Sequence, residues 1–100
     1  MINYTIARNE EKNITRHDWT LDGYTLTIIK YEDRSNRITI KAPLDAPELC
    51  VDDFREDPVV EVNWSAIGNV NGDEARKYAA KIVAADDIAD TFQGIIDGMK

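Results

Sequence analysis

A repeat of apolar residues runs through the last quarter of the chain and requires a long helix. The members of this seam are Ala75, Tyr78, Ile82, Ala85, Ala89, Phe92, Ile96 and Met99. They follow one another at alternating steps of three and four, which places them on one side of an α-helix. Asn71 and Glu74 match a capping box at its start. Such a helix needs another layer of the protein to cover its apolar side.

The first 42 residues predict that other layer as an antiparallel sheet. Alternating apolar and polar residues indicate strands near residues 2–7, 14–21, 24–31 and 38–42. The first strand, with Ile2, Tyr4 and Ile6 on one face, is expected to be half-buried. Asp22 and Gly23 favour a tight hairpin, because both central residues of a type I′ turn need positive φ. Consecutive strands with short turns form a meander.

The connection after the fourth strand differs in composition, with three prolines and six acidic residues. Proline excludes a central strand there, and Asp45 with Glu48 could cap a short helical turn. Val60, Val62 and Trp64 then alternate as one more strand. The sequence therefore predicts a single α+β domain, an antiparallel β-meander of four to five strands covered by one long C-terminal helix.

The net charge of −7 is unevenly distributed along the chain. Residues 1–42 carry seven Lys/Arg and six Asp/Glu, a balance of +1, and residues 43–100 carry five and thirteen, a balance of −8. Binding to a phosphate backbone needs a basic surface, so direct nucleic-acid binding is not expected. An acidic half is compatible with a basic protein partner or with simple solubility.

Several features indicate a cytoplasmic protein. Cys50 is the only cysteine, which excludes an internal disulfide and fits a reducing compartment. No run of about 18 apolar residues is present, so no membrane span is expected. The N-terminus lacks a basic start followed by an apolar stretch, so no secretory signal is expected.

The sequence offers little for catalysis. His17 is the only histidine, so any Ser–His or Cys–His mechanism would depend on it. On its strand it shares a face with Trp19, which predicts a structural or partly exposed role. Cys50 lies among carboxylates that disfavour a thiolate, and we expect a buried, inert thiol. Without a phosphate loop or a cysteine or histidine metal motif, we expect no enzyme activity and no cofactor.

Two groups of oxygen-bearing side chains are candidate metal sites. One is formed by Asp52, Asp53, Glu56 and Asp57, and the other by Asn69, Asn71 and Asp73. The first lacks the alternating spacing and glycine of a calcium loop, and the second runs directly into the predicted helix. We therefore interpret both as solvated polar surface and predict no metal site.

Acidic residues are the best candidates for binding a partner. The set comprises Asp45, Glu48, Asp52, Asp53, Glu56, Asp57, Asp86, Asp87 and Asp90. Its helical members oppose the helix dipole, which prefers acids in the first turn and bases in the last. We hypothesise a non-enzymatic protein that binds a basic partner and inhibits it. If that partner normally grips nucleic acid, these carboxylates could stand in for phosphates.

The same helix suggests an alternative, a self-assembling structural component. Arg76, Lys77 and Lys81 precede the acidic half, so an antiparallel second helix would pair opposite charges. The predicted homodimer seam consists of Tyr78, Ile82, Ala85, Ala89, Phe92 and Ile96. The competing interpretation packs this seam on the chain's own sheet, and both hold if Ala79, Val83, Ile88 and Ile95 form a second apolar side.

One stretch carries a resemblance to a known group of proteins. It contains Asn63-Trp64-Ser65-Ala66 with Gly68, followed by Glu74-Ala75, Tyr78-Ala79 and Ala84-Ala85. Across roughly residues 60–90, this pattern resembles the C-terminal half of small, acidic, β-then-α accessory proteins of bacteriophages and prophages. The resemblance brings no catalytic residues. It implies a small accessory protein made inside a bacterial cell, and some such proteins bind and block a host or defence protein.

Overall fold

A computed structural model describes residues 2–44, 46–52, 57–63 and 72–99 of the protein. It contains a four-stranded antiparallel sheet, a second sheet of two short strands and one long helix, which confirms the predicted α+β class. The elements are β1 (Asn3–Asn9), β2 (Ile14–Leu21), β3 (Tyr24–Tyr31), β4 (Arg37–Lys41), β5 (Leu49–Val51), β6 (Val60–Val62) and α1 (Gly72–Gly98).

The large sheet is the predicted meander, with its strands in the order β1-β2-β3-β4. Asp22 has φ 50° and Gly23 has φ 84°, so both central residues of the β2–β3 turn have the positive φ that a type I′ turn requires. That two-residue turn sets Leu21 opposite Tyr24 and thereby fixes the register of the two central strands.

Helix α1 is continuous from Gly72 to Gly98 and passes Asp86 without a break. Its apolar side packs over β3 and β4, where Leu26 and Ile28 are almost completely buried, and Phe92 is the largest of its own fully buried side chains. Ala75 is exposed, so the seam begins later than predicted. The start of the predicted cap, Asn71, lies outside the described residues.

The second apolar side predicted for α1 does not form. Ile88 is buried in the same core as the seam, and Ile95 packs against that core. Ala79 and Val83 are exposed on the outer side of the helix. The four residues therefore do not share one side of the helix: Ile88 and Ile95 lie on the core side, and Ala79 and Val83 lie on the outer side.

The strand after the proline-rich connection does not extend the meander. Residues 60–62 form β6, which pairs antiparallel with β5 in a separate sheet, with Leu49 opposite Val62. The prediction of a short helical turn near Glu48 is also wrong for residues 49–51, which form strand β5. Tyr24 holds this region to the main sheet by donating its hydroxyl to the Pro47 carbonyl oxygen at 2.5 Å.

Strand β1 was expected to be half-buried, and the structure corrects this. All seven of its residues are exposed. The buried residues of the sheet lie on β3 and β4, so the core that α1 helps to form does not reach β1. Ile2, Tyr4 and Ile6 therefore continue the apolar face of the sheet beyond the part that helix α1 covers. Their exposed fractions are 39%, 48% and 59%.

Candidate functional site

The acidic residues predicted to bind a partner lie on the surface wherever the structure describes them. Those residues are Glu48, Asp52, Asp57, Asp86, Asp87 and Asp90, and all of them are exposed. The remaining three, Asp45, Asp53 and Glu56, lie outside the described residues. The described six divide between the outer face of α1 and the two ends of the β5–β6 sheet.

The second half of α1 presents an acidic outer face, formed by Asp86, Asp87 and Asp90. Buried Phe92 and Ala89 mark the opposite, core-facing side of the helix. Asp86 and Asp90 are four residues apart, a spacing at which like charges destabilise a helix by about 0.2–0.5 kcal/mol. The last turn of α1 contains no basic residue. Within the described chain, these three aspartates form no ion pair that would offset this repulsion.

Gln93 brings the acidic end of the β5–β6 sheet to this half of the helix. Its Nε2 donates to the Pro58 carbonyl oxygen at 2.9 Å, and its Oε1 accepts from the Val60 backbone N–H at 2.8 Å. Asp57 precedes Pro58, and Asp52 follows Val51, which pairs with Val60. Both carboxylates therefore belong to the chain segments held beside the acidic outer face.

Glu48 lies apart from this group. It precedes Leu49, which pairs with Val62 at the other end of the small sheet, and its carbonyl oxygen accepts from the Asn63 N–H at 2.8 Å. The structure thus attaches the chain segments next to Asp52 and Asp57 to the second half of α1, while Glu48 lies at the opposite end of the β5–β6 pair.

A second surface feature is an aromatic cluster on β1 and β2, composed of Tyr4, His17 and Trp19. The ring centroids of Tyr4 and Trp19 are 5.1 Å apart, and those of His17 and Trp19 are 5.7 Å apart, both in stacked arrangements. Tyr4 Oη lies 2.6 Å from His17 Nδ1. The prediction that His17 and Trp19 share a face is confirmed, and Tyr4 joins them because it pairs directly with Trp19.

The environment of His17 favours its neutral form. Partial burial, assisted by the positive charge of Lys30, lowers its pKa from 6.5, while Asp18 acts in the opposite direction. In a neutral imidazole whose Nδ1 carries no proton, that atom can accept a hydrogen bond from the Tyr4 hydroxyl. The ring is stacked with Tyr4 and Trp19, which gives it a packing role in the cluster.

The described residues contain little that resembles a catalytic or metal centre. Nowhere in residues 2–44, 46–52, 57–63 and 72–99 are three or more His, Cys, Asp or Glu side chains grouped to hold a metal ion. Cys50 was expected to be buried and is exposed. The reason is strand alternation: Leu49 points into the core, so its neighbour on β5 points outward.

The seam predicted for homodimerisation is occupied within the chain. Ile82, Ala85, Ala89, Phe92 and Ile96 are all buried in the core, and Tyr78 packs against it. The structure therefore matches the competing interpretation, in which the seam packs on the chain's own sheet. A helix-to-helix dimer through these residues would require α1 to leave the core.

No family model, curated protein or solved structure matches this chain. Within its described part, no helix combines the length and the apolar character needed to cross a membrane.

Proposed function

We propose that the protein is a non-enzymatic binding protein that uses the acidic outer face of α1, with Asp52 and Asp57 beside it, to engage a basic protein partner. The observation that supports this most directly is the placement of Asp86, Asp87 and Asp90. They are exposed, and Asp86 and Asp90 stand at a spacing at which like charges on a helix repel each other. Local helix stability does not explain them, whereas attraction of a cationic surface does.

The proposed setting is the cytoplasm of a bacterial cell, where the protein would act as an accessory protein of phage or mobile-element type that inhibits a host or defence protein. The resemblance over residues 60–90 and the lone cysteine support this setting. In a narrower version of the proposal, the target is a nucleic-acid-binding protein and the carboxylates occupy its phosphate sites. That version predicts that duplex DNA competes with this protein for the partner.

The test is an affinity capture from bacterial lysate, washed at low and high salt, with bound proteins identified by mass spectrometry. The informative variant is Asp86→Lys/Asp90→Lys. Its matched control is Glu10→Lys/Glu11→Lys in the exposed β1–β2 turn. Each pair changes the net charge from −7 to −3 (two substitutions of +2 each), so only the position of the charge differs.

We expect one stoichiometric partner on the wild-type protein and on the control, released by salt, and none on the helix variant. The helix variant should stay folded and melt close to the wild-type temperature, because it exchanges one like-charge pair for another at the same exposed positions, and circular dichroism checks this. Loss of the partner would then not reflect unfolding. Equal capture by all three proteins would contradict the proposal.

A further inference from the structure

No strand among the described residues pairs with the outer edge of β1. β1 is the terminal strand of the four-stranded sheet, and it pairs with β2 without interruption from Asn3–Thr20 to Asn9–Ile14. The unbroken register means that no bulge twists this edge away from solvent. The backbone groups on its outer side are therefore aligned for another strand to pair with them.

This edge also lacks the residues that commonly block unwanted pairing. Proteins protect edge strands with proline, lysine, bulges or a covering element. The strand reads NYTIARN, with neither proline nor lysine, and its central side chain, Ile6, is 59% exposed. The opposite edge is better protected, because β4 carries two charged side chains, Arg37 and Lys41, and contacts β5, whereas β1 carries Arg8 alone.

We propose that β1 pairs antiparallel with β1 of a second copy, around a two-fold axis at Ile6. This register uses all seven residues of both strands, because Ile6 is the midpoint of Asn3–Asn9. Ile6 then faces its own copy. The other opposed pairs are Tyr4 with Arg8, Thr5 with Ala7, and Asn3 with Asn9.

The self-complementary register supports a second copy as the occupant. Arg8 is the only charged residue of β1, and within its own chain it donates to Thr15 Oγ1 at 2.7 Å and lies 3.9 Å from Glu32. In the full-length register it lies opposite a tyrosine, so no two like charges face each other. The contact is isologous, so a single patch satisfies itself and the assembly closes at two copies.

The paired sheet has eight strands and places both aromatic clusters near its centre. The helices lie over β3 and β4 of each copy, on the outer flanks of the joined sheet. The acidic outer faces of α1 therefore remain accessible. This surface is separate from the one proposed to bind a basic partner, so the two proposals can fail independently.

The first experiment measures molar mass by light scattering over a series of concentrations. It compares the wild-type protein with two lysine variants. Ile6→Lys places two like charges across the proposed axis and should weaken dimerisation at least about tenfold. Val83→Lys is the matched control, because Val83 is 63% exposed on the outer side of α1. It should dimerise like wild type, and circular dichroism should show that both variants are folded.

A second measurement locates the contact without relying on loss of binding. Residues directly opposed across paired strands are close enough to form a disulfide. Oxidation of Ile6→Cys/Cys50→Ser should give a covalent dimer, whereas Val83→Cys/Cys50→Ser should form no covalent dimer. A wild-type protein that is monomeric at every concentration overturns the proposal. This holds even if its β1 strand is found to bind a strand of a different protein. A dimer that survives Ile6→Lys and fails to cross-link at position 6 also overturns it.

Discussion

Tyr4 and His17 are joined across the β1–β2 pair by a hydrogen bond between Oη and Nδ1, at 2.6 Å. The two rings also stack, with centroids 5.9 Å apart. This contact links the exposed edge strand to the single histidine of the chain.

Stability should decrease as the pH falls from 7.5 to 5.5. The pKa of His17 is lowered in the folded protein, chiefly by burial, so the unfolded chain binds the proton more readily. The free energy of unfolding is therefore highest above pH 6.5 and declines as the pH drops from that value towards the folded pKa. Urea unfolding of wild type and His17→Gln at both pH values measures this. An equal pH dependence in the two proteins would show that His17 is not the cause.

Thr27 should control the acid sensitivity of Asp18. Burial opposes ionisation of Asp18, but hydrogen bonds from Thr27, at 2.6 Å, and from Arg16 outweigh it and lower the carboxyl pKa. The associated stability is present above pH 3.8 and is lost as the pH falls through the folded pKa.

Thr27→Val removes one of these donors, so it should cost about 1–2 kcal/mol at pH 7 and flatten the acid limb of the stability curve. The matched control is Thr39→Val, at the exposed position directly opposite on β4. Acid unfolding followed by circular dichroism should separate the two variants. Identical acid limbs in wild type and Thr27→Val would contradict the assignment.

Two glycine-to-alanine substitutions should have opposite effects. Gly23 has φ 84°, and a Cβ there would lie 3.1 Å from Pro43 Cβ, so Gly23→Ala should destabilise the protein by about 1–3 kcal/mol. Gly94 lies in α1 with nothing within 4 Å of an added Cβ, so Gly94→Ala should stabilise it by about 0.5–1 kcal/mol. Thermal unfolding gives both signs, and a shift in the same direction for both would refute this explanation.

Gln93 should anchor strand β6 to the helix. Truncation by Gln93→Ala leaves the Pro58 carbonyl and the Val60 N–H without their partner and should cost about 1–3 kcal/mol. Gln93→Glu retains an acceptor for Val60 but cannot donate to Pro58, so its loss should be intermediate. The control is Thr91→Ala, whose hydroxyl donates to the Asp87 carbonyl oxygen within the same helix. A larger loss for Thr91→Ala than for Gln93→Ala in urea unfolding would contradict this role.

Local patterns in the sequence predict the strands well and their burial less well. β2 and β3 have the predicted bounds because alternation and the Asp22–Gly23 turn act over a few residues. The exposure of β1 and the separate pairing of β6 depend on which strands the helix covers. Which strands the helix covers is determined by contacts between residues far apart in the chain, and the periodicity of apolar residues does not report such contacts.

The candidate surfaces divide in the same way. Exposure of the helical aspartates follows from the seam, because the seam fixes which side of α1 faces water. The Tyr4–His17–Trp19 cluster was missed because it depends on the register of β1 against β2. The turn between the two strands is the sequence feature that could have revealed the cluster. If that turn closes with Asn9 opposite Ile14, the register places Tyr4 opposite Trp19.

The two hydrogen bonds of Gln93 also bear on the order of folding. The large sheet is built from hairpins between neighbouring strands, whereas Gln93 joins residues 33 and 35 positions away in the chain. Contacts between close neighbours form early, because little chain entropy is lost in closing them. We therefore expect the meander to assemble first and the helix to lock the β5–β6 segment late, so that changes at Gln93 accelerate unfolding and leave the refolding rate almost unaltered.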